Sequence, residues 1–253
     1  MNIRYFKSIL IIFVLGVVIV SCNKDIKDQA PYNAISNSSY YSYVKVVNAT
    51  VGAARNYVYC PNVPTALTGA TFAYGGTAPG VSGTTSISYN YFAIAPGPTT
   101  IYVKDTLSTS TQPSLQIAKT LTQGAFYSVF TYDTTTTIQY SWVQDNLTAV
   151  TDTAARVRLG NFARGATKNV DVFSKVMNTN VFTNISPATV TPFMPYTSKQ
   201  TDTLYVRETG TTNLLYQYNT FVPDQKRYYT LVFRGRQDNL GSNTRTLTAF
   251  INY

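Results

Sequence analysis

The sequence predicts an all-β protein, and three observations support this fold class. The 253 residues include 38 threonines, 21 tyrosines and 13 phenylalanines, which are residue types that favour β-strands. Charged residues make up only 12% of the chain, and glutamate, a good helix former, occurs once. Short segments of alternating polar and apolar residues recur between turn residues. Together these observations predict β-sandwiches or a barrel.

The alternation is clearest in five segments that follow Tyr40. Each is bounded by Gly, Pro, Asn or Asp, which favour turns. We expect each segment to form a strand: YSYVKVVNA (41–49), SISYNYFAI (86–94), TTIYVKD (99–105), AFYSVFTYD (125–133) and IQYSWVQ (138–144).

The first 21 residues have the pattern of a lipoprotein signal peptide. Arg4 and Lys7 precede an uncharged run from Ser8 to Val20. As a helix this run would rise about 20 Å, less than the ~30 Å hydrocarbon core of a membrane. The run ends in Ile19-Val20-Ser21-Cys22, which resembles the lipobox of bacterial lipoproteins. We therefore predict cleavage before Cys22 and lipid on that cysteine, which anchors the chain to a membrane without spanning it.

Residues 22–39 are polar and lack periodicity, which predicts a flexible lipidated tether. Its four charged residues resemble the short signals that direct Bacteroidetes lipoproteins to the outer face of the outer membrane; a plain charged tether is the alternative. These residues are Lys24, Asp25, Lys27 and Asp28. The predicted location is the cell envelope, as an outer-membrane lipoprotein exposed at the cell surface.

The second half of the chain repeats the first. Three pairs of segments match: 44–48 with 157–161, 100–105 with 203–208, and 126–130 with 228–232. The offset falls from 113 to 103 and 102, so the first copy has about ten extra residues near its Gly-rich segment 73–85. The repeat predicts two tandem sandwich domains, residues 40–147 and 154–253.

The strand motifs resemble the domain of unknown function 4397 family. In the second copy the matches are Arg158–Asn161, Val170–Phe173 and Tyr229–Phe233; in the first they are Lys45–Ala49, Phe126–Phe130 and Gln144–Leu147. The resemblance implies tandem immunoglobulin-like sandwiches in a secreted protein or lipoprotein, and it brings no catalytic residues. The first copy departs where Val58 replaces the aspartate that stands at Asp171, so the two copies share no role for this residue.

Catalytic chemistry has little support in the sequence. Histidine is absent, which removes the usual general base and the commonest metal ligand. Most of the eleven acidic residues lie at predicted strand ends or turns, where Asp stabilises the turn. Cys60 has no histidine or cationic cluster to activate it, and we expect it to be buried in a strand. We expect no enzyme, metal or cofactor, and keep a carboxylate-dependent glycan-processing enzyme as a remote alternative.

Two sets of residues are candidates for binding. Exposed aromatic rings stack on sugars, and the candidates for a glycan-stacking platform are Phe72, Tyr74, Tyr89, Tyr91 and Trp142. Core packing is the competing interpretation for each ring. A basic patch that docks on anionic lipid or acidic polysaccharide is predicted at Arg156, Arg158, Arg164, Lys168, Arg234 and Arg236. An ordinary solvated β-face is the competing interpretation there.

Four Asp-Thr pairs resemble the acceptor sequence of Bacteroidetes protein O-glycosylation, and their threonines are Thr106, Thr134, Thr153 and Thr203. The favoured function is a non-enzymatic, membrane-anchored interaction module for a glycan, another envelope protein or a matrix. The alternative is a structural spacer without a specific ligand. Nucleic acid is not an expected partner at this location.

Overall fold

The computed structural model describes residues 40–61, 71–79, 91–165, 168–236 and 243–252. The predicted signal peptide, the tether, lipidation of Cys22 and the stacking candidate Tyr89 lie outside these residues. Tyr40–Tyr253 forms a compact unit. Among the residues described, no helix has the length and apolarity needed to cross a membrane.

The described chain is built of β-strands, which confirms the predicted all-β sandwich class. The first half contains β1 (Ser42–Asn48), β2 (Asn56–Tyr59), β3 (Thr77–Ala78), β4 (Phe92–Ile94), β5 (Gly97–Asp105), β6 (Leu115–Leu121), β7 (Phe126–Tyr132) and β8 (Gln139–Asp145). Four of the five predicted segments coincide with β1, β5, β7 and β8. Only residues 91–94 of the fifth, 86–94, lie within the described ranges, and they contain β4.

The second half begins after the predicted boundary. It contains β9 (Ala155–Arg164), β10 (Val170–Ser174), β11 (Thr179–Ile185), β12 (Thr189–Val190), β13 (Met194–Tyr196), β14 (Asp202–Glu208), β15 (Leu214–Phe221), β16 (Tyr228–Arg236) and β17 (Thr246–Ile251).

Each half forms one inner and one outer sheet; the inner sheets have the same strand order, and the second outer sheet has β11 as an additional edge strand. The inner sheets run β3-β1-β7-β8 and β12-β9-β16-β17, with β4 and β13 also paired to β1 and β9. The outer sheets are β2-β5-β6 and β11-β10-β14-β15. In both inner sheets the central pairing is parallel, β1 with β7 and β9 with β16. The repeat in the sequence is therefore also a repeat in topology.

Three apolar clusters stack the sheets into four layers. One cluster, which includes Val44 and Ile101, fills the space between the two sheets of the first half. A second, which includes Leu159 and Val206, does the same in the second half. The third lies between the two inner sheets, on the faces that point away from the first two clusters. It includes Val47, Phe130, Phe162, Val232 and Phe250. Strand alternation explains this, because successive side chains of each inner strand serve different cores.

Candidate functional site

The outward face of the first outer sheet carries a row of cross-strand neighbours. Tyr59 of β2 lies opposite Tyr102 of β5, and Tyr102 lies opposite Gln116 of β6. The two rings are 6.0 Å apart between centroids. Lys104, two residues after Tyr102 and so on the same face, places Nζ 5.1 Å from the Tyr102 ring and 5.8 Å from the Tyr59 ring. We call these four residues the first outer row.

The second outer sheet repeats the arrangement. Phe173 of β10 lies opposite Tyr205 of β14, and Tyr205 lies opposite Gln217 of β15. The ring centroids are 6.3 Å apart. Arg207 places Cζ 4.7 Å from the Phe173 ring and 5.4 Å from the Tyr205 ring. We call these four residues the second outer row.

Alternation along β5 and β14 produces both rows. In each strand the apolar positions, such as Val103 and Val206, are fully buried in the sandwich core. The residues between them, including Tyr102 and Tyr205, are half-buried and point outward. The matched segments TIYVKD and TLYVRE therefore encode the same outward sequence of threonine, tyrosine and cation. The repeat was recognised in the sequence, but the outward-facing residues of these strands were not identified as a candidate site. The period-2 pattern was sufficient to find them.

The cations of the two outer rows lack an acidic partner. Within the described part of the chain, six cations form ion pairs with Asp or Glu, and neither Lys104 nor Arg207 is among them. Their favourable contacts are instead with aromatic rings, which attract a cation to the ring face. Each outer row therefore presents apolar ring surface, an amide and a cation that forms no ion pair within the described chain, although Asp171 lies opposite Arg207 in the second outer row.

A shallow groove adjoins the first outer row. It has a volume of about 600 Å³ and is lined by Tyr102, Thr100, Lys119 and neighbouring residues of β5 and β6. Ligand pockets commonly have volumes of about 300–1,000 Å³ and are apolar with a few polar groups. The groove therefore has the size for a short saccharide but is open to solvent.

The predicted stacking residues do not form one surface. Phe72 is 2% exposed and belongs to the core of the first half, so it is unavailable to a sugar. Trp142 packs against the same core and lies 5.0 Å from the Tyr127 ring. Tyr74 lies beneath Arg234, and Tyr91 donates a hydrogen bond to the buried Asp145. For Phe72 and Tyr91 the platform prediction is corrected, because core packing and a buried hydrogen bond engage these rings. Trp142 and Tyr74 are half-buried, and for them the platform stays a prediction.

The predicted basic patch is also corrected. Arg158 is 1% and Arg234 6% exposed, because the first half covers the face of the sheet on which they lie. Arg156 pairs with Asp152 and Arg164 with Asp133. Lys168 is exposed and pairs with Glu208, and Arg236 is half-buried at the end of β16. Ion pairing and burial therefore remove most of this charge from a free surface.

The candidate glycosylation sites differ in accessibility. Thr106 and Thr153 are exposed, whereas Thr134 and Thr203 are half-buried. The Thr134 hydroxyl is within hydrogen-bonding distance of the Thr136 and Thr137 hydroxyls. The structure therefore favours Thr106 and Thr153 as accessible acceptors.

The acidic residues play two structural roles. Asp105 and Asp152 accept hydrogen bonds from the backbone two residues ahead, as the turn interpretation predicts. Asp145, Asp171 and Asp202 are instead buried. Among the described residues, no group of three or more Cys, Asp or Glu residues is placed to hold a metal ion.

Asp202 shows how such a buried carboxylate is stabilised. It accepts hydrogen bonds from the hydroxyls of Ser174 and Tyr196 and from the backbone amide of Val176. Burial and the Asp202 carboxylate raise the pKa of Tyr196. Cys60 is buried and lies one residue beyond the end of β2. Its sulfur contacts the Thr99 hydroxyl oxygen at 3.3 Å.

A buried polar network joins the two inner sheets. Arg158 Nη2 lies 2.7 Å from Asp145 Oδ1, and the side chains are 2% and 0% exposed. Asp145 Oδ2 accepts hydrogen bonds from Ser128 at 2.6 Å and Tyr91 at 2.8 Å. Arg158 Nε donates to Thr230 Oγ1 at 2.8 Å. The ion pair therefore lies within a set of hydrogen bonds that link both halves.

The network has approximate two-fold symmetry. Lys45 and Arg158 occupy matched positions of β1 and β9, opposite Ser128 and Thr230 respectively. The Ser128 hydroxyl donates to Asp145, the last residue of β8, and the Thr230 hydroxyl donates to Asn252, which directly follows β17. Each cation covers a ring of its own half: Lys45 Nζ is 4.5 Å from the Tyr91 ring, and Arg158 Cζ is 4.3 Å from the Phe193 ring.

Lys45 is the least compensated member of the network. Its Nζ donates to the carbonyl of Ile251 at 2.7 Å. Burial lowers the pKa of Lys45 to about 7; Arg158 lowers it further, and Asp145 acts in the opposite direction. The pKa of Tyr91 is raised, first by burial and then by Asp145. The enclosure of these groups indicates a structural role in joining the halves.

Comparison with known proteins adds no family or relative. No family model matches the chain, and no curated protein matches it. The resemblance to the domain of unknown function 4397 family therefore stays a prediction drawn from the strand motifs.

Proposed function

We propose that this protein is a non-enzymatic cell-envelope lipoprotein that binds carbohydrate through its two outer rows. The supporting observation is their recurrence: the same arrangement of two rings, an outward glutamine and an unpaired cation appears on both outer sheets. Core packing does not require outward aromatic residues at both places, and a binding surface kept in both copies of the repeat would account for them.

The chemistry of each outer row suits a saccharide. Aromatic rings pack against the apolar C–H face of a pyranose, while the phenol hydroxyl of tyrosine offers a polar group at the ring edge. Gln116 and Gln217 are exposed and carry an amide that both donates and accepts hydrogen bonds. In the first outer row the adjoining groove provides space for a second sugar unit.

The test is a glycan array probed with residues 23–253, in wild-type form and as the double variant Tyr102→Ala/Tyr205→Ala. We expect wild type to bind a restricted set of glycans and the double variant to lose at least tenfold in affinity. Tyr40→Ala is the matched control, since Tyr40 is 65% exposed and lies in neither outer row.

A blank array with wild type would overturn the binding proposal and favour the spacer alternative. Binding that is undiminished in the double variant would show that the glycan site lies elsewhere. Both tyrosines point outward, so an unchanged unfolding midpoint separates loss of binding from loss of fold.

Anchoring through Cys22 is part of the proposal. It is supported by the apolar run and the small residue that precede the cysteine. A variant in which residues 1–22 are replaced by a secretory signal peptide that is cleaved without lipidation, expressed in a Gram-negative envelope, is expected to move from the membrane fraction to the soluble fraction. Recovery of this variant in the membrane fraction at the wild-type level would contradict lipid anchoring.

Tandem immunoglobulin-like topology and O-glycosylation are further proposals. The duplicated sheets support the first, and the exposure of Thr106 and Thr153 supports the second. An intact mass of the native mature protein equal to polypeptide plus lipid would exclude glycosylation.

A further inference from the structure

We propose that the two outer rows are separate sites for one class of ligand, an acidic polysaccharide that carries carboxylates, and that the protein cross-links two such chains. This inference rests on the proposed carbohydrate-binding function and adds the ligand charge and the number of sites.

The four-layer stack determines where the sites face. The apolar cluster between the two inner sheets includes Val47 and Phe130 of the first half and Phe162 and Val232 of the second. The outer sheets lie on the far side of each half, against the other two clusters. The outer rows consequently face away from each other. Three spacings of about 10 Å between packed sheets separate their backbones by roughly 30 Å.

The charge of the outer rows selects the ligand. Lys104 and Arg207 are the only matched cations of the repeat that point outward, since the other matched pair, Lys45 and Arg158, is buried between the halves. Neither outward cation forms an ion pair within the described chain. Asp171 lies opposite Arg207, but its carboxylate accepts hydrogen bonds from the backbone amides of Asn184 and Gly210 and from the Thr209 hydroxyl. An anion bound there gains a charge-assisted hydrogen bond without breaking an existing ion pair.

The spacing of cation and ring matches the dimensions of a uronic acid. In the first outer row Nζ of Lys104 lies 5.1 Å from the centre of the Tyr102 ring, and in the second Cζ of Arg207 lies 5.4 Å from the Tyr205 ring. The cation lies over the face of each tyrosine ring, so a sugar that stacks there displaces the cation from the ring, and the sugar carboxylate then pairs with the displaced cation. Arg207 can hold that carboxylate through two parallel hydrogen bonds, whereas Lys104 acts as a point charge.

Opposed sites cannot both be filled by one short segment of a stiff polymer. Each outer row instead engages its own chain or a distant stretch of the same chain. The expected consequence is a network in which the protein is the cross-link, strongest at an intermediate ratio of protein to polymer.

The experiment uses residues 23–253, since Tyr40–Tyr253 is a compact unit. The probes are polygalacturonate, alginate and hyaluronate, each beside its carboxyl-reduced, neutral form. Affinity electrophoresis measures binding, and light scattering measures cross-linking. Gel filtration establishes that every variant is monomeric. The variants are Tyr102→Ala, Tyr205→Ala, the double variant and Lys104→Gln/Arg207→Gln.

We expect wild type to bind at least one acidic polymer and to raise its scattering. Each single tyrosine variant is expected to bind with half the stoichiometry and to give no scattering increase. The double tyrosine variant should bind neither form. The charge variant should lose about fivefold per site for the acidic polymer, as one exposed charge pair typically contributes, and nothing for the neutral polymer.

Three results would overturn the inference, and they differ from failure of the function itself. Equal affinity for neutral and acidic polymers would remove the charge preference. Binding without scattering by wild type, or scattering that persists in a single variant, would remove the two opposed sites. In all three cases carbohydrate binding stands. Absence of binding to every polymer and on the glycan array would instead remove the proposed function.

Discussion

Replacing Asp145 by asparagine tests the buried network between the two halves most directly. The substitution preserves the size of the side chain and removes its charge. It also makes the site resemble the matched position of the second half, which is Asn252. Arg158 then loses its only counter-charge at 2.7 Å while it stays 1% exposed.

The expected cost follows from the groups that depend on this carboxylate. Removing one partner of a buried ion pair typically destabilises a protein by about 3–5 kcal/mol, because the other charge stays buried. Ser128 and Tyr91 also donate to Asp145 Oδ2, at 2.6 Å and 2.8 Å, and must reorient towards an amide. With a urea dependence of about 2–3 kcal/mol per molar, the midpoint of unfolding falls by roughly 1–2.5 M.

The assay is urea unfolding followed by two signals. Trp142 is the only tryptophan and packs against the core of the first half, so its fluorescence reports on that half. Far-ultraviolet circular dichroism reports on both. We expect coincident transitions in wild type because the shared cluster couples the halves. The matched control is Asp224→Asn, since Asp224 and its partner Lys199 are 57% and 62% exposed. It should cost less than about 1 kcal/mol.

A midpoint for Asp145→Asn no lower than that of Asp224→Asn would refute the reasoning. A second test is the double variant Asp145→Asn/Arg158→Met. Replacing both charges of a buried pair by residues of similar volume is often neutral or stabilising, so the double variant should be more stable than Asp145→Asn alone.

Three further predictions concern groups outside the Asp145 ion pair. The Lys45 pKa of about 7 lies below the unfolded value near 10.4, so the unfolded state binds more protons between these pH values. Stability should therefore rise from pH 7 towards pH 10, by at most about 1.4 kcal/mol per unit, and Lys45→Met should abolish this rise in urea titrations. A Cβ on Gly235 meets the Thr244 carbonyl oxygen at 2.3 Å, whereas Gly97, also at positive φ, has open space. Gly235→Ala should consequently lower the thermal midpoint more than Gly97→Ala, and equal shifts would contradict the steric argument. Cys60 is 2% exposed, so in residues 23–253 its reaction with a thiol reagent should wait for unfolding; rapid labelling of the native protein would show that the site is accessible.

Strand positions were largely predictable because they depend on local alternation. The segment around Tyr102 alternates between buried and half-buried residues along β5. The segments around Val44 and Phe130 also lie in strands, but these strands are buried on both faces. The internal repeat could also be predicted from the sequence, since the matched segments occupy equivalent places in the two inner and two outer sheets.

The candidate site was predicted less well because exposure depends on tertiary packing. Phe72 and Tyr102 are both aromatic residues in a β-rich segment, yet one fills a core and the other points outward. Arg156 and Arg158 alternate on one strand face, as expected, but the other half of the chain covers that face. A single sequence does not show which sheet faces meet.

The all-β class, the duplication and the burial of Cys60 could be predicted from the residues alone, because composition and period-2 alternation act within a few residues. Which cations are buried and which face outward depends on tertiary packing. One matched pair of cations, Lys45 and Arg158, is enclosed between the inner sheets. The other matched pair, Lys104 and Arg207, faces outward beside aromatic rings. The physical reason is that each sheet has two faces, and only the packing of one half on the other determines which face is withdrawn from water.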